Sequence, residues 1–193
     1  MNTTERSNVV EQYIDLLSGL REGMDDLLEV LQAAEVFTAP CSTQYHLSRP
    51  QGLVQHSLNV YDLMEKFNGA IDYQVPEDSI RIVALLHDIG KANFFGQPLY
   101  IPNILKSGKQ SDNKPYVTNP ERKIKNHAVA SFVTVSQYIP LTEDEAFAIL
   151  YHNGLYDLMG REISGHETLL QQLLHFADMC ASRFYDDKDD KLV

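Results

Sequence analysis

Apolar residues recur at helical spacing along most of the chain. The first such segment runs from Asn8 to Leu20 and the second from about Asp25 to Val36, each with an aliphatic residue every three or four positions. Gly19 and Gly23 separate the two, since glycine weakens a helix. The pattern predicts a helical hairpin over residues 1–36 that packs on the rest of the protein.

The same periodicity continues through the remainder of the chain. Helices are expected from Gly52 to Phe67, from Pro76 into His87, from Ile124 to Tyr138, from Ala146 to Tyr151 and after Ser164. For the segment after Ile124 a β-strand is an alternative prediction, because this segment is rich in β-branched residues. No segment shows convincing strand alternation. The chain is therefore predicted to be an all-α bundle of about seven helices.

Two four-residue patterns mark expected helix starts. Thr142-Glu143-Asp144-Glu145 and Ser164-Gly165-His166-Glu167 each place a hydroxyl residue three positions before a glutamate. In a capping box these two side chains bond to each other's backbone N–H groups. The sequence predicts such a box at both positions.

Residues 92–125 lack a regular pattern and are rich in glycine and proline. A loop of this length inside a compact domain is usually functional or mobile. It concentrates the positive charge of the chain, at Lys106, Lys109, Lys114, Arg122, Lys123 and Lys125. Two interpretations stay open, a solvated loop or a lid that attracts phosphate.

Composition narrows the class of protein. A chain of 193 residues with 44% hydrophobic residues suits one domain, with a core over residues 37–185 and a disordered acidic tail over 186–193. The formal net charge of −11 argues against stable nucleic-acid binding. The two cysteines are expected to be free, and no apolar run approaches the length of a membrane span. A cytoplasmic protein without membrane contact is expected; a homo-oligomer stays open.

Six residues with metal-ligand chemistry lie on or at the ends of predicted helices, in apolar surroundings. A buried carboxylate is costly unless it is paired or bound to metal, so a shared ion is an economical explanation for the set. The mixture of imidazole and carboxylate suits Fe, Mn, Zn, Co or Ni better than Ca or Mg alone. The six residues are His56, His87, Asp88, His127, His152 and Asp178.

Their order along the chain resembles the HD superfamily of metal-dependent phosphohydrolases. Gly52-Leu53-Val54-Gln55-His56-Ser57-Leu58-Asn59-Val60 is similar to the helix that carries the first histidine of that superfamily. Leu85-Leu86-His87-Asp88-Ile89-Gly90-Lys91 is similar to its namesake motif, in the form that ends in Gly-Lys. The resemblance extends from about Gly52 to Arg183.

The resemblance implies a metal centre. A first divalent metal would be held by His56, His87, Asp88 and Asp178. The remaining two histidines, His127 and His152, stand where the binuclear branch has the ligands of a second metal, with Asp88 as the bridge. Two transition metals per chain are expected, with Mg²⁺ possible at one site. A role for His127 in contacting substrate instead stays open.

The resemblance also implies an activity: hydrolysis of a phosphate ester or phosphoanhydride by metal-activated water, in a nucleotide or related small phosphoester. Asp88 and Lys91 would be catalytic, the latter by donating to a phosphate oxygen, although Lys91 also suits a cation that caps a helix. Substrate contacts are expected from His46, Arg49, Lys123 and Lys125.

Two other functions are compatible with the same residues. One is a di-iron oxygenase on the HD scaffold, because a six-ligand set can hold two irons. The other is a module that binds a nucleotide without turnover, which the intact ligand set argues against.

Overall fold

The computed structural model describes the backbone of residues 3–186 and the side chains of residues 9–186. This part of the chain is mainly helical, with a single two-stranded sheet, so the predicted all-α architecture is confirmed. The α-helices are α1 Thr3–Leu17, α2 Met24–Ala33, α3 Gly52–Gly69, α4 Glu77–Leu86, α5 His127–Val135, α6 Glu143–Leu150, α7 Leu158–Glu162 and α8 Leu169–Cys180. Short 3-10 turns lie at Val36–Thr38, Ile89–Lys91 and Gly154–Tyr156, and a π-helical turn at Ala181–Tyr185 follows α8.

Helix α3 is central to the packing. It contacts α1, α4 and α8, while α6 packs against α4, α5 and α8. Helix α4 is buried along nearly its whole length, from Ser79 to Leu86, with Arg81 the only partly exposed residue in that stretch. The end of α4 therefore lies inside the bundle, and the residues that follow it are buried in the core. None of the described helices is long and apolar enough to cross a membrane.

The N-terminal helix α1 packs on this core. Tyr13 and Leu17 of α1 belong to the same cluster of buried side chains as Leu85 of α4, and the Tyr13 hydroxyl donates to the Leu85 carbonyl oxygen at 2.6 Å. Helix α1 ends at Leu17, three residues earlier than expected, since Gly19 adopts a left-handed conformation with φ 67°. The hydrogen bond from Tyr13 thus ties α1 to Leu85, two residues before His87.

The region after the Ile89–Lys91 turn is less irregular than expected. It contains an antiparallel pair of three-residue strands, β1 Tyr100–Pro102 and β2 Tyr116–Thr118, in which Ile101 lies opposite Val117. Three residues are too few for an alternating pattern to stand out in the sequence. The hairpin is tied to the loop before α3, because the Tyr116 N–H donates to the Thr43 carbonyl at 3.1 Å.

Arg122 does not add its positive charge to the surface of this region, contrary to one interpretation of the sequence. It is only 2% exposed, so it is not part of a phosphate-attracting surface. Its guanidinium instead holds the chain that follows the HD motif, since a guanidinium has five N–H donors in a fixed fork. The acceptors are the carbonyl oxygens of Gly90, Ala92, Phe94, Gln97 and Ile124.

The first predicted capping box is confirmed. The Glu145 N–H donates to Thr142 Oγ1 at 3.2 Å, and the Thr142 N–H donates back to Glu145 Oε2 at 2.9 Å. Glu145 also accepts two hydrogen bonds from Arg21, in the link between α1 and α2, and one from Ser79 of α4. The box therefore ties α6 to two other parts of the bundle.

The second predicted capping box is wrong. Helix α8 begins after Thr168, whose hydroxyl accepts from the Gln171 N–H at 3.4 Å. Gly165, inside the predicted box, has φ 83°, a left-handed conformation that ends the preceding turn rather than starting a helix. The residue that caps α8, Thr168, is therefore four positions later than the predicted cap, Ser164.

Gly90 brings α5 against the turn after α4. A Cβ atom on Gly90 would lie 2.3 Å from the His127 carbonyl oxygen and 2.7 Å from the Ser131 nitrogen. The Gly90 N–H donates to Ser131 Oγ at 2.9 Å. The absence of a side chain at this position therefore lets the first turn of α5, which carries His127, approach the HD motif.

We expect Gly90→Ala to lower the free energy of unfolding by about 1–3 kcal/mol, the cost of overpacking a tight contact. Urea denaturation monitored by circular dichroism measures the change. Gly69→Ala is the matched control, because nothing lies within 4 Å of a Cβ at Gly69, and it should change stability little. Equal stability of the two variants would contradict the tight contact.

Candidate metal centre

The histidine and aspartate of the motif lie at the point where α4 stops being helical. His87 is the C-terminal cap of α4, and Asp88 has left the helical conformation, with φ −109° and ψ 0°. On a continuous helix the two side chains would point about 100° apart. In the structure His87 Nε2 lies 3.5 Å from Asp88 Oδ2, so the turn makes neighbouring side chains converge.

The other four predicted ligands surround Asp88. His127 Nε2 and His152 Nε2 lie 3.2 and 3.6 Å from Asp88 Oδ1. On the other oxygen, His56 Nε2 lies 3.6 Å from Asp88 Oδ2 and 3.1 Å from Asp178 Oδ1. The structure thus brings all six residues into one cluster, from α3, the end of α4, α5, the end of α6 and α8.

Three of the histidines are held through their Nδ1 atoms. Nδ1 of His87 bonds to the Ala84 carbonyl at 2.9 Å, and Nδ1 of His152 bonds to the Ile149 carbonyl at 2.8 Å. His56 uses a carboxylate instead, since its Nδ1 lies 2.8 Å from Asp186 Oδ2. A neutral imidazole that donates from Nδ1 presents the Nε2 lone pair, which is the form that binds metal.

The electrostatics keep His127, His87 and Asp88 in the protonation states that bind metal. Burial lowers the pKa of His127 to about 3, and it lowers that of His87, so both rings are neutral at physiological pH. Burial acts to raise the pKa of Asp88, but Lys91 and the surrounding histidines outweigh it and hold this pKa well below its usual range.

Burial acts to lower the pKa of His56 and His152 as well, but Cys41 and Asp186 raise that of His56 well above its usual value, and Asp88 raises that of His152. Metal ligation requires neutral imidazoles, so a metal would have to displace protons from these two rings.

The donor set fits a divalent metal. His56 Nε2, His87 Nε2 and Asp88 Oδ1 are buried and make no hydrogen bond within the described part of the protein. Buried polar atoms are nearly always satisfied, so three such atoms facing one another indicate a missing partner. The ligand atoms of His56, His87 and Asp178, and those of His87, Asp88 and His152, lie within 4.8 Å of one another.

Lys91 lies inside this cluster. Its Nζ is 2.5 Å from Asp88 Oδ2 and 3.9 Å from Cys41 Sγ, and its side chain is 10% exposed. Burial acts to lower the pKa of Lys91, but Asp88 raises it well above its usual value, so the ammonium stays charged. The cation therefore pairs with the central carboxylate and does more than cap a helix.

The four residues expected to bind substrate lie in different places. His46 is close to the cluster, with Nδ1 2.5 Å from Asp186 Oδ2, and it lines a cavity of about 490 Å³. Arg49 lines another cavity, of about 270 Å³, beside the β1–β2 hairpin. Lys123 and Lys125 are exposed on the surface. A substrate contact by any of these residues stays a prediction.

The structure adds residues that were not singled out from the sequence. Arg183 and Ser182 line both the 490 Å³ cavity and a second one of about 170 Å³, which reaches Asp178. Tyr45, 74% exposed, completes the first cavity, and Tyr156 borders the second. Arg183 follows Asp178 by five positions, which is the only local signal for it.

Asp186 does not belong to a disordered acidic tail, and the structure contradicts this prediction from the sequence. Its carboxylate is fully buried and bonded to two histidines, although the sequence places it at the start of a charge run. Its neighbours along the chain carry no sign of this, because burial depends on the π-helical turn before it. The rest of the predicted disordered tail, residues 187–193, lies outside the described residues.

Comparison with known proteins assigns the family. The model of the HD domain matches residues 53–182, about two thirds of the chain, and the chain belongs to the HD-domain family. No curated protein and no solved structure matches it significantly. HD domains are metal-dependent hydrolases that bind divalent metals, in agreement with the cluster around Asp88.

We expect divalent transition metal to stabilise the folded protein. At a free concentration about 100 times Kd, binding contributes about 2.7 kcal/mol, which raises Tm by roughly 5–10 °C in a chain of this size. Differential scanning calorimetry with Mn²⁺, Co²⁺ or Zn²⁺, before and after chelation, measures the shift.

His87→Ala should abolish this shift, because it removes a buried ligand atom. His166→Ala should leave it intact, since His166 is exposed and outside the cluster. A shift of the same size in both variants would place the metal elsewhere.

Proposed function

We propose that the protein is a metal-dependent phosphohydrolase that acts on a nucleotide or a related small phosphoester. One observation carries the proposal: four imidazoles and the ammonium of Lys91 converge on the carboxylate of Asp88 in a buried site, with Asp178 beside His56. Such a site concentrates positive charge and ligand atoms where a phosphate group would have to be stabilised.

We assign two metals to the cluster. Asp88 Oδ2 faces His56 and His87, which together with Asp178 would hold the first metal. Asp88 Oδ1 faces His127 and His152, which would hold the second. The two oxygens of one carboxylate therefore serve two separate groups of imidazoles, which supports Asp88 as a bridge.

Metals bound there would lower the pKa of a water molecule and polarise a phosphoryl oxygen. The protein's own side chains would neutralise the charge of the phosphate group and hold the metal ligands in place. Lys91, charged and mostly buried, is placed to donate to a phosphate oxygen once Asp88 ligates metal. The carbonyls that fix His87 and His152 keep both rings aimed at Asp88, so the site needs little rearrangement when substrate arrives.

The adjoining cavities suit a small anionic substrate. The larger one, at about 490 Å³, falls within the range of about 300–1,000 Å³ that is typical of small-molecule sites. Arg183, which lines both cavities, offers a guanidinium for a second anionic group beyond Asp178. The exposed ring of Tyr45 offers a face on which a base can stack. These features support a nucleotide as the substrate class.

We expect about two metals per chain in protein purified without added metal. His127→Ala and His152→Ala should each lower the content toward one, because they remove ligands of the second metal only. Elemental analysis by inductively coupled plasma mass spectrometry gives the ratio. A wild-type content near one, unchanged in both variants, would contradict the second site.

We expect the metal-loaded protein to hydrolyse members of a panel of linear and cyclic nucleotides. Lys91→Met should lower kcat about 10²–10³-fold, the usual effect of removing one donor to a developing negative charge. Phosphate release and chromatography of the nucleoside products measure the rates. Lys66→Met is the control, because Lys66 forms an exposed ion pair with Asp62 and should leave kcat unchanged.

The same panel separates the proposal from its alternatives. Iron-dependent oxygen uptake without phosphate release would identify an oxygenase. Nucleotide binding that persists in His87→Ala, again without turnover, would identify a binding module. Either result would overturn the phosphohydrolase assignment.

A further inference from the structure

The carboxylate of Asp186 accepts three hydrogen bonds although it lies beyond α8. Oδ2 is 2.8 Å from His56 Nδ1 and 2.5 Å from His46 Nδ1, and Oδ1 accepts from Asn59 Nδ2 at 2.9 Å. A carboxylate whose side chain is fully buried is stable only when it is paired in this way. Burial acts to lower the pKa of His46, but Asp186 and Cys41 raise it to about 9.

The bond to His56 decides which nitrogen of that ring faces the cluster. When the ring is neutral and its proton is on Nδ1, directed at Asp186, the Nε2 lone pair lies on the side of Asp178, 3.1 Å away, and Asp88, 3.6 Å away. Without Asp186 the population of the Nε2–H tautomer of His56 would increase, because a proton on Nε2 could be donated to Asp178. That tautomer has no lone pair at the position where a metal would be bound.

His56 differs in this respect from His87 and His152, the two other candidate ligands whose Nδ1 contacts are described. His87 and His152 are fixed by carbonyl oxygens three residues earlier in their own segments. His56 depends on a side chain 130 positions away. A carboxylate behind a ligating imidazole also makes the ring more basic than a carbonyl does.

The turn after α8 delivers this side chain. Residues Ala181–Tyr185 form a π-helical turn, and the Asp186 N–H donates to the Ala181 carbonyl, five residues earlier, at 2.9 Å. Tyr185 is anchored to α3, because its hydroxyl donates to Asp62 Oδ2 at 2.5 Å. Isolated π-helical turns are frequent at functional sites, where they redirect a side chain.

We propose that Asp186 is a positioning residue that holds His56 in the form able to ligate metal, so that the segment after α8 sets the metal affinity of the cluster. The inference rests on the metal centre of the proposed function. It is independent of the substrate and of hydrolysis.

The test compares Asp186→Ala and Asp186→Asn with Asp15→Asn in the full chain. Asp15→Asn is matched because it removes one negative charge from an exposed position of α1 and leaves His56 and the turn after α8 untouched. Asp186→Asn keeps the shape of the side chain while removing its charge, which guards against a variant that does not fold. Thermal melts confirm folding in each case.

The first readout is the tautomer of His56 in metal-free protein, from ¹⁵N chemical shifts at a pH where the ring is neutral. We expect the Nδ1–H form in the wild type and in Asp15→Asn, and a substantial Nε2–H population in Asp186→Ala. The second readout is Zn²⁺ affinity by competition with a chromophoric chelator. We expect Kd to rise about 10–100-fold in Asp186→Ala, as is typical for loss of a group behind a metal ligand, and by less in Asp186→Asn.

An unchanged tautomer in Asp186→Ala would overturn the proposal, and so would an unchanged Zn²⁺ affinity. An equal loss of affinity in Asp15→Asn would overturn it as well, since the effect would then be one of net charge. Failure of the wild type to bind Zn²⁺, Mn²⁺ or Co²⁺ would contradict the proposed function and, with it, the metal-positioning role. Loss of hydrolysis alone, with both readouts as expected, leaves this role supported.

Discussion

The structure depends on the burial of one carboxylate, that of Asp88, which is 1% exposed. A buried carboxylate is costly unless positive charge or metal compensates it. Here Lys91 lies against one oxygen, and imidazoles lie against both. Even so, His56 Nε2, His87 Nε2 and Asp88 Oδ1 make no hydrogen bond within the described part of the protein. The cluster is incomplete as a purely polar core, and its donor set fits a divalent metal.

The surrounding fold holds the segments that meet at Asp88. Tyr13 bonds to the carbonyl of Leu85, and Arg122 binds the carbonyls of Gly90 and the residues after it. Gly90 allows α5 to approach, which brings His127 to the site. These contacts come from α1, the long loop and α5. All of them fix the chain around the turn after α4, where the site lies.

The residues that sequence reasoning placed wrongly share one property. Arg122 and Asp186 are charged, and charged residues in loops or near chain ends are usually exposed. Both are buried because partners far along the chain satisfy them: backbone carbonyls for Arg122, and His46, His56 and Asn59 for Asp186. A local pattern carries no information about such partners. The second capping box failed for a related reason, since the conformation of Gly165 decides where the chain turns.

The sequence by itself determined the helical class, the main helices and the six candidate ligands, because helical periodicity and metal-ligand chemistry are local properties of residues. It also indicated Lys91, through its place three positions after Asp88. Only the tertiary structure decided that the six side chains meet, which oxygen of Asp88 faces which histidines, and how His56 is held. These features depend on contacts between segments up to 130 residues apart, and spacing along the chain does not encode distances in space.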